Sequence, residues 1–159
     1  MTMKEAVIAF WTKGFDFSGR ARRSEVWLNI LANLLIGLLL GIVALVIDVA
    51  TNWQFNFVEH CQFFVNKIFP SILLIPAMAQ ASRRLQDINL NGRIAVVVTM
   101  VSVLIDFIVT RFQLTIEASP LLIALAIISA LSGLFLRIIN FIKGNRGTNK
   151  YGPDPKAEI

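Results

Sequence analysis

Residues 81–93 read ASRRLQDINLNGR, and this short basic stretch lies between two long apolar runs. An apolar run of about 20 residues is long enough to cross a bilayer as a helix. Basic residues are enriched in the short cytoplasmic loops of membrane proteins. The stretch therefore predicts a cytoplasmic loop that joins two transmembrane helices.

The rest of the chain extends this pattern to four apolar runs. They predict an all-α fold, an integral membrane four-helix bundle, with spans at about 27–49, 63–81, 94–112 and 120–142. Residues 3–14 have the spacing of an amphipathic helix that lies either at the membrane interface or against the protein itself. Residues 143–159 form a polar tail with too little apolar content to fold alone. The 159 residues thus predict a single membrane domain over 1–159.

Composition and charge agree with a membrane protein. Hydrophobic residues make up 56% of the chain and charged residues 16%, whereas soluble domains average about 45–50% and about 25%. The formal net charge is +5, and its Lys and Arg residues lie beside the apolar runs. The predicted partner is therefore the lipid bilayer with its anionic head groups, and not nucleic acid. Basic residues concentrate at the amino end, in the middle loop and in the tail, which predicts that both termini are cytoplasmic.

Three polar patches share this predicted cytoplasmic side. Their residues are Phe17, Gly19, Arg20, Arg23, Glu25 and Trp27; then Arg83, Arg84, Leu85, Asp87 and Gly92; then Asn149, Tyr151, Gly152 and Pro153. In this order the patches resemble the motifs of the domain-of-unknown-function 805 family of small bacterial inner-membrane proteins. The resemblance covers nearly the whole chain and implies the fold and a place in the bacterial inner (plasma) membrane. It implies no activity, because the family has none established.

The second patch departs from the family's pattern at four positions, and Asn89, Asn91 and Arg93 stand where the family usually has glycine, serine and tryptophan. Gln86 stands where the family usually has histidine. An amide does not titrate near neutrality, so Gln86 cannot do the proton chemistry that a histidine would do there. An intramembrane enzyme acting on lipid would need its base from another position.

Two interpretations of the patches stay open. In the first, arginines tie the helix ends to the tail, and Arg83 and Arg84 share a helical face with Asp87. The structural polar network then comprises Glu25, Trp27, Asp87, Asn149 and Tyr151. In the second, four guanidinium groups form a ligand-binding face, because arginine binds phosphate and carboxylate bidentately. These are the groups of Arg20, Arg23, Arg83 and Arg84. Their ligand is then an anionic lipid, a phosphate compound or an acidic segment of a membrane-protein partner.

Two charged residues lie inside predicted spans. Lys67 is in the second span and Asp106 in the third, each about 20 Å of helix from the cytoplasmic side. Ionisable residues inside a membrane usually pair and mark functional sites. Either these two residues pair, with Asp48 and Arg111 nearby, or each extends to the interface. A pair would suit the alternative function, a small oligomeric transporter or channel.

The sequence predicts no enzyme, because it contains no clear nucleophile–base pair, paired-carboxylate site or phosphate-binding loop. Glu59, His60 and Cys61 are adjacent and cannot easily surround one ion, so neither a metal nor another cofactor is predicted. Gly37 and Gly41 allow close helix approach, within the bundle or in a homo-oligomer. The leading hypothesis is a non-catalytic multi-pass membrane protein that binds an anionic lipid or a protein partner at a cytoplasmic arginine face.

Overall fold

The computed structural model describes residues 1–111 and 119–157, which are helical apart from short connections and the tail. The helices are α1 Met3–Thr12, α2 Arg23–Ala50, α3 Phe57–Phe63, α4 Phe69–Asp87, α5 Arg93–Arg111 and α6 Pro120–Ile138. A short π-helical segment, Phe64–Ile68, joins α3 to α4. The predicted all-α fold is confirmed. Phe112, the predicted end of the third span, and residues 158–159 of the tail lie outside the described residues.

Four helical stretches of the described chain are long and apolar enough to cross a membrane. They are Arg23–Ala50, Phe57–Asp87, Arg93–Arg111 and Pro120–Ile138. Each contains most of one predicted span, so the four-span organisation is confirmed. The second stretch starts earlier than predicted because α3 and the π-helical segment continue into α4. The π-helical segment ends two residues before Pro70, whose missing N–H disturbs regular α-helical bonding.

The chain divides into two compact units. The first comprises Met1–Phe15 and Ser24–Ala77, and the second comprises Asp16–Arg23 and Met78–Ile159. In the first unit, α1 begins with a capping box in which Thr2 and Glu5 exchange backbone and side-chain hydrogen bonds. Ala6 and Phe10 are buried while Trp11 is half exposed. One side of α1 therefore packs on the protein, which agrees with the predicted alternative that this helix lies against the protein itself.

Asp48, near the end of α2, is fully buried in the first unit. Its carboxylate accepts hydrogen bonds from the backbone N–H groups of Phe57 and Val58, each at 2.7 Å. The first N–H groups of a helix have no partner inside the helix, so Asp48 caps α3. The sequence predicted that Asp48 lies near an intramembrane pair of Lys67 and Asp106. In the structure, both carboxylate oxygens of Asp48 instead accept the hydrogen bonds that cap α3.

The second unit contains the end of α4, helices α5 and α6, and the tail. Its apolar core is formed by Leu85, Ala95 and Ile139, with Phe135 packed against them. Ser119 caps α6, and Pro120 is its first residue, as predicted. The helix ends at Ile138 and not at the predicted Ile142. At this end the backbone bonds change to i→i−3 spacing, from Asn140 to Arg137 and from Phe141 to Ile138.

Candidate functional site

Asp87, the last residue of α4, is the centre of a buried polar cluster in the second unit. Its Oδ1 accepts a hydrogen bond from Arg20 Nε at 2.9 Å, and its Oδ2 accepts one from Arg84 Nη1. Both guanidinium side chains and the carboxylate are almost entirely buried. Two cations therefore share one anion in a setting where an unpaired charge would be costly.

Arg20 also holds the tail in place. Its Nη1 donates to the carbonyl oxygens of Gly147 at 2.6 Å and Gly152 at 3.4 Å, and its Nη2 donates to that of Asn145. The backbone N–H of Asn145 in turn donates to the carbonyl oxygen of Asp87 at 2.9 Å. A single side chain from the segment before α2 thus anchors the tail to the end of α4.

Arg84 and Arg23 bind the carbonyl groups that follow α6. Arg84 Nη2 donates to the carbonyl oxygen of Ile142, and Arg23 Nη1 donates to that of Phe141 at 3.2 Å. Carbonyls at a helix C-terminus lack partners within the helix and favour a nearby cation. These bonds tie the segment that follows α6 to Arg84 at the end of α4 and to Arg23.

Gly144 and Gly92 allow the backbone to approach this cluster closely. A Cβ atom added at Gly144 would lie 1.9 Å from Asp87 Oδ2. A Cβ atom at Gly92 would lie 2.2 Å from Ser82 Oγ and 2.4 Å from the side-chain nitrogen of Gln86. Neither space accepts a larger residue without movement. Gly144 was missed from the sequence, which contains no local pattern that distinguishes it from the other glycines of the polar tail.

Gln86 anchors two connecting segments. Its Nε2 donates to the carbonyl oxygen of Phe17 at 3.0 Å, which also accepts from Ser82 Oγ at 2.8 Å. The backbone carbonyl of Gln86 accepts from Asn149 Nδ2 at 2.9 Å. The residue at the position where the family usually has histidine is therefore a hydrogen-bond donor that positions the loop before α2.

The tail folds into a tight turn over residues 149–152. Asn149 and Gly152 exchange backbone hydrogen bonds of 3.0 and 3.1 Å, and Asn149 Oδ1 accepts from the N–H of Tyr151 at 2.8 Å. Gly152 has a φ of +135°, a conformation that favours glycine. Asp154 accepts from the backbone N–H groups of Lys156 and Gly147, and these bonds lower the pKa of its carboxyl group.

The structure brings several residues of the predicted structural network together in the second unit. Arg20, Arg84, Asp87 and Asn149 lie together as expected, with Tyr151 in the tail turn. Arg83 is buried beside them, and its carbonyl oxygen accepts from the N–H of Ala21 at 3.2 Å. Glu25 and Trp27 belong to α2 in the first unit, where Glu25 is buried and Trp27 is partly exposed.

The second interpretation of the arginines assigned them to an external anion. Arg20, Arg23 and Arg84 donate instead to groups of this chain. Their observed contacts match the structural interpretation. Anion binding by the four predicted arginines stays a prediction.

The two intramembrane charges lie in different units. Lys67 is an exposed residue of the π-helical segment, and its carbonyl oxygen accepts from Ser71 Oγ at 2.8 Å. Asp106 lies on α5 and lines a mostly apolar cavity of about 310 Å³ together with Ser129 of α6. The pairing of Lys67 with Asp106 stays a prediction. No described atom comes within 4 Å of a Cβ added at Gly37 or Gly41, and the use of these glycines for close helix packing stays a prediction.

Comparison with known proteins gives consistent matches over most of the chain. The family model described as "Protein of unknown function (DUF805)" matches residues 14–153. Inner membrane protein YhaI of Escherichia coli (strain K12) is 24% identical over 140 residues, which cover 88% of this chain and 86% of that protein. Inner membrane protein YhaH of the same strain is 27% identical over 142 residues, covering 89% and 88%. No solved structure matches the chain significantly.

These relatives and the four membrane-capable helices agree on a multi-pass inner-membrane protein. The family match includes the loop before α2, the end of α4 and the tail turn, which together form the Asp87 cluster. The chain belongs to the DUF805 family of proteins of unknown function.

Proposed function

We propose that this chain is a non-catalytic inner-membrane protein that binds anionic lipid head groups through basic residues at its cytoplasmic end. The observation that carries the proposal is the Asp87 cluster, in which Arg20 and Arg84 fix the tail at the end of α4. A tail held in this way keeps its cations beside a helix that enters the membrane.

The tail supplies the cations that are available to a ligand. Its basic side chains are all exposed; they are those of Lys143, Arg146, Lys150 and Lys156. Clusters of Lys and Arg beside a transmembrane helix attract anionic lipids. Arg20, Arg23 and Arg84 are engaged inside the chain, so we assign lipid binding to the tail and a positioning role to the arginines.

The orientation of the chain is part of the proposal. Basic residues occur before α2, at the end of α4, at the start of α5 and in the tail, whereas the connection over residues 51–56 has none. Positively charged short loops face the cytoplasm. Both termini and the Asp87 cluster are then cytoplasmic, on the leaflet side that is rich in anionic lipid in many membranes.

We expect native mass spectrometry of the gently extracted protein to show retained anionic lipids. Changing all four tail cations to glutamine should reduce this retention by about tenfold or more, because each lost cation removes attraction to the head group. Retention of zwitterionic lipid should not change. A matched variant with Lys143, Lys150 and Lys156 changed to arginine keeps the charge and should keep the lipid. Equal anionic lipid retention by the glutamine variant and the wild type would refute the proposal.

A small oligomeric transporter or channel is the second candidate function. Asp106 favours it, since a carboxyl group lines a cavity between α5 and α6 in a membrane-capable stretch. Ion flux through proteoliposomes of the wild-type protein, abolished by Asp106→Asn, would favour transport. An absence of flux in both would leave lipid binding as the better supported function.

A further inference from the structure

A cavity of about 390 Å³ lies beside the Asp87 cluster in the second unit. Three cationic residues line it: Arg22 from the segment before α2, and Arg146 and Lys156 from the tail. Asp87 and Asp154 contribute the acidic part of the lining. Its volume is within the range of small-molecule sites, which are about 300–1,000 Å³.

The acidic residues of this lining are already engaged. Both oxygens of Asp87 accept hydrogen bonds from arginines, and those of Asp154 accept from the N–H groups of Lys156 and Gly147. The lining carries three cationic side chains and two carboxylates, a net charge of +1. This arrangement leaves a local excess of positive charge.

The buried arginines increase that excess. Arg20 and Arg84 share the single carboxylate of Asp87, so one of the two positive charges is uncompensated within the pair. Arg84 Nε is also buried and has no hydrogen-bond partner in the described part of the chain. Buried positive charge without a matching anion is unfavourable, and an anion in the adjacent cavity would stabilise it.

We propose that this cavity binds a phosphate monoester group, held by Arg22, Arg146 and Lys156. Guanidinium groups bind phosphate oxygens bidentately, and a lysine ammonium adds a compact charge. The proposal rests on the proposed function and names its preferred head group, one with a terminal phosphate. The same chemistry is present in inorganic phosphate, which the test separates from lipid.

Two double variants of equal charge test the site. Arg146→Gln with Lys156→Gln removes two cations of the cavity, and Lys143→Gln with Lys150→Gln removes two exposed tail cations that do not line it. The probe is dihexanoyl phosphatidic acid, added to the full chain in neutral detergent, with binding measured by calorimetry. The cavity variant should lose about tenfold or more in affinity, since two phosphate contacts are lost. The variant of Lys143 and Lys150 should lose no more than about threefold, because these cations lie outside the cavity and contribute only general attraction to the head group.

The outcomes separate the phosphate site in the cavity from the broader proposal that the tail binds anionic lipid. An equal loss in both variants would overturn the cavity site but leave lipid binding by the tail in place. Wild-type protein that binds no anionic lipid would overturn both. Lys156→Arg, which keeps the charge, should retain the affinity.

Inorganic phosphate is the second arm of the experiment. If it binds alone and the cavity variant abolishes that binding, the site takes free phosphate. If it neither binds nor competes while phosphatidic acid binds with the predicted variant profile, the site takes the lipid head group.

Discussion

Replacing Asp87 with alanine is expected to lower the free energy of unfolding by about 3–5 kcal/mol, the usual cost of removing one partner from a buried ion pair. The change leaves the guanidinium groups of Arg20 and Arg84 buried without their carboxylate. Reversible unfolding in mixed micelles measures the loss. Because the tail is tied to α4 through Arg20, its cleavage by a protease should also become faster.

Asp154→Asn is the matched control for the Asp87 variant. It also removes a carboxylate of the second unit. The described hydrogen bonds of Asp154 come only from backbone N–H groups, whereas those of Asp87 come from arginine side chains. We expect a clearly smaller loss of stability and slower tail cleavage than in the Asp87 variant. Equal losses in the two variants would show that Asp87 is not the centre of the cluster.

Replacing Gly144 with alanine is expected to lower the free energy of unfolding by about 3 kcal/mol, near the upper end of the range for overpacking. The added methyl group would lie 1.9 Å from Asp87 Oδ2, so either the tail or the carboxylate must move. Either movement disturbs the bonds that Arg20 and Arg84 make with Asp87. Thermal unfolding and tail proteolysis should therefore change in the same direction as in the Asp87 variant.

Gly41→Ala provides the control for this steric argument. A Cβ atom at Gly41 meets no described atom within 4 Å, and alanine is the better helix former. Stability should stay the same or rise slightly. If Gly144→Ala were as mild as Gly41→Ala, the close approach of the tail to Asp87 would be wrong.

The four helical spans could be predicted because apolar length is a local property of the sequence. The boundaries were less accurate where distant groups intervene. The end of α6 was predicted at Ile142, but the helix ends at Ile138, and Arg84 and Arg23 bind the carbonyl oxygens of Ile142 and Phe141 beyond it. Such long-range donors are not visible in hydropathy.

The candidate site was predictable in part. The contact between Arg84 and Asp87 follows from helical spacing, and it is present. The contact between Arg20 and Asp87 joins residues far apart in the chain, and helical spacing does not predict it. Whether an arginine points inward or to a ligand depends on its partners. The sequence indicated the charges but not the tail carbonyls, the Gly144 approach or the cavity.

The most direct test of the Asp87 cluster is a double-mutant cycle of Arg20→Ala and Asp87→Ala, measured by reversible unfolding in mixed micelles. It tests whether the Arg20–Asp87 pair ties the tail to the end of α4. If the two side chains act as one buried pair, the double variant should be much less destabilised than the sum of the single variants. We expect a coupling free energy of at least about 1.5 kcal/mol. If the losses of unfolding free energy in the single variants add to that of the double variant within about 0.5 kcal/mol, the two residues act independently. That result would contradict a buried Arg20–Asp87 pair as the anchor of the tail.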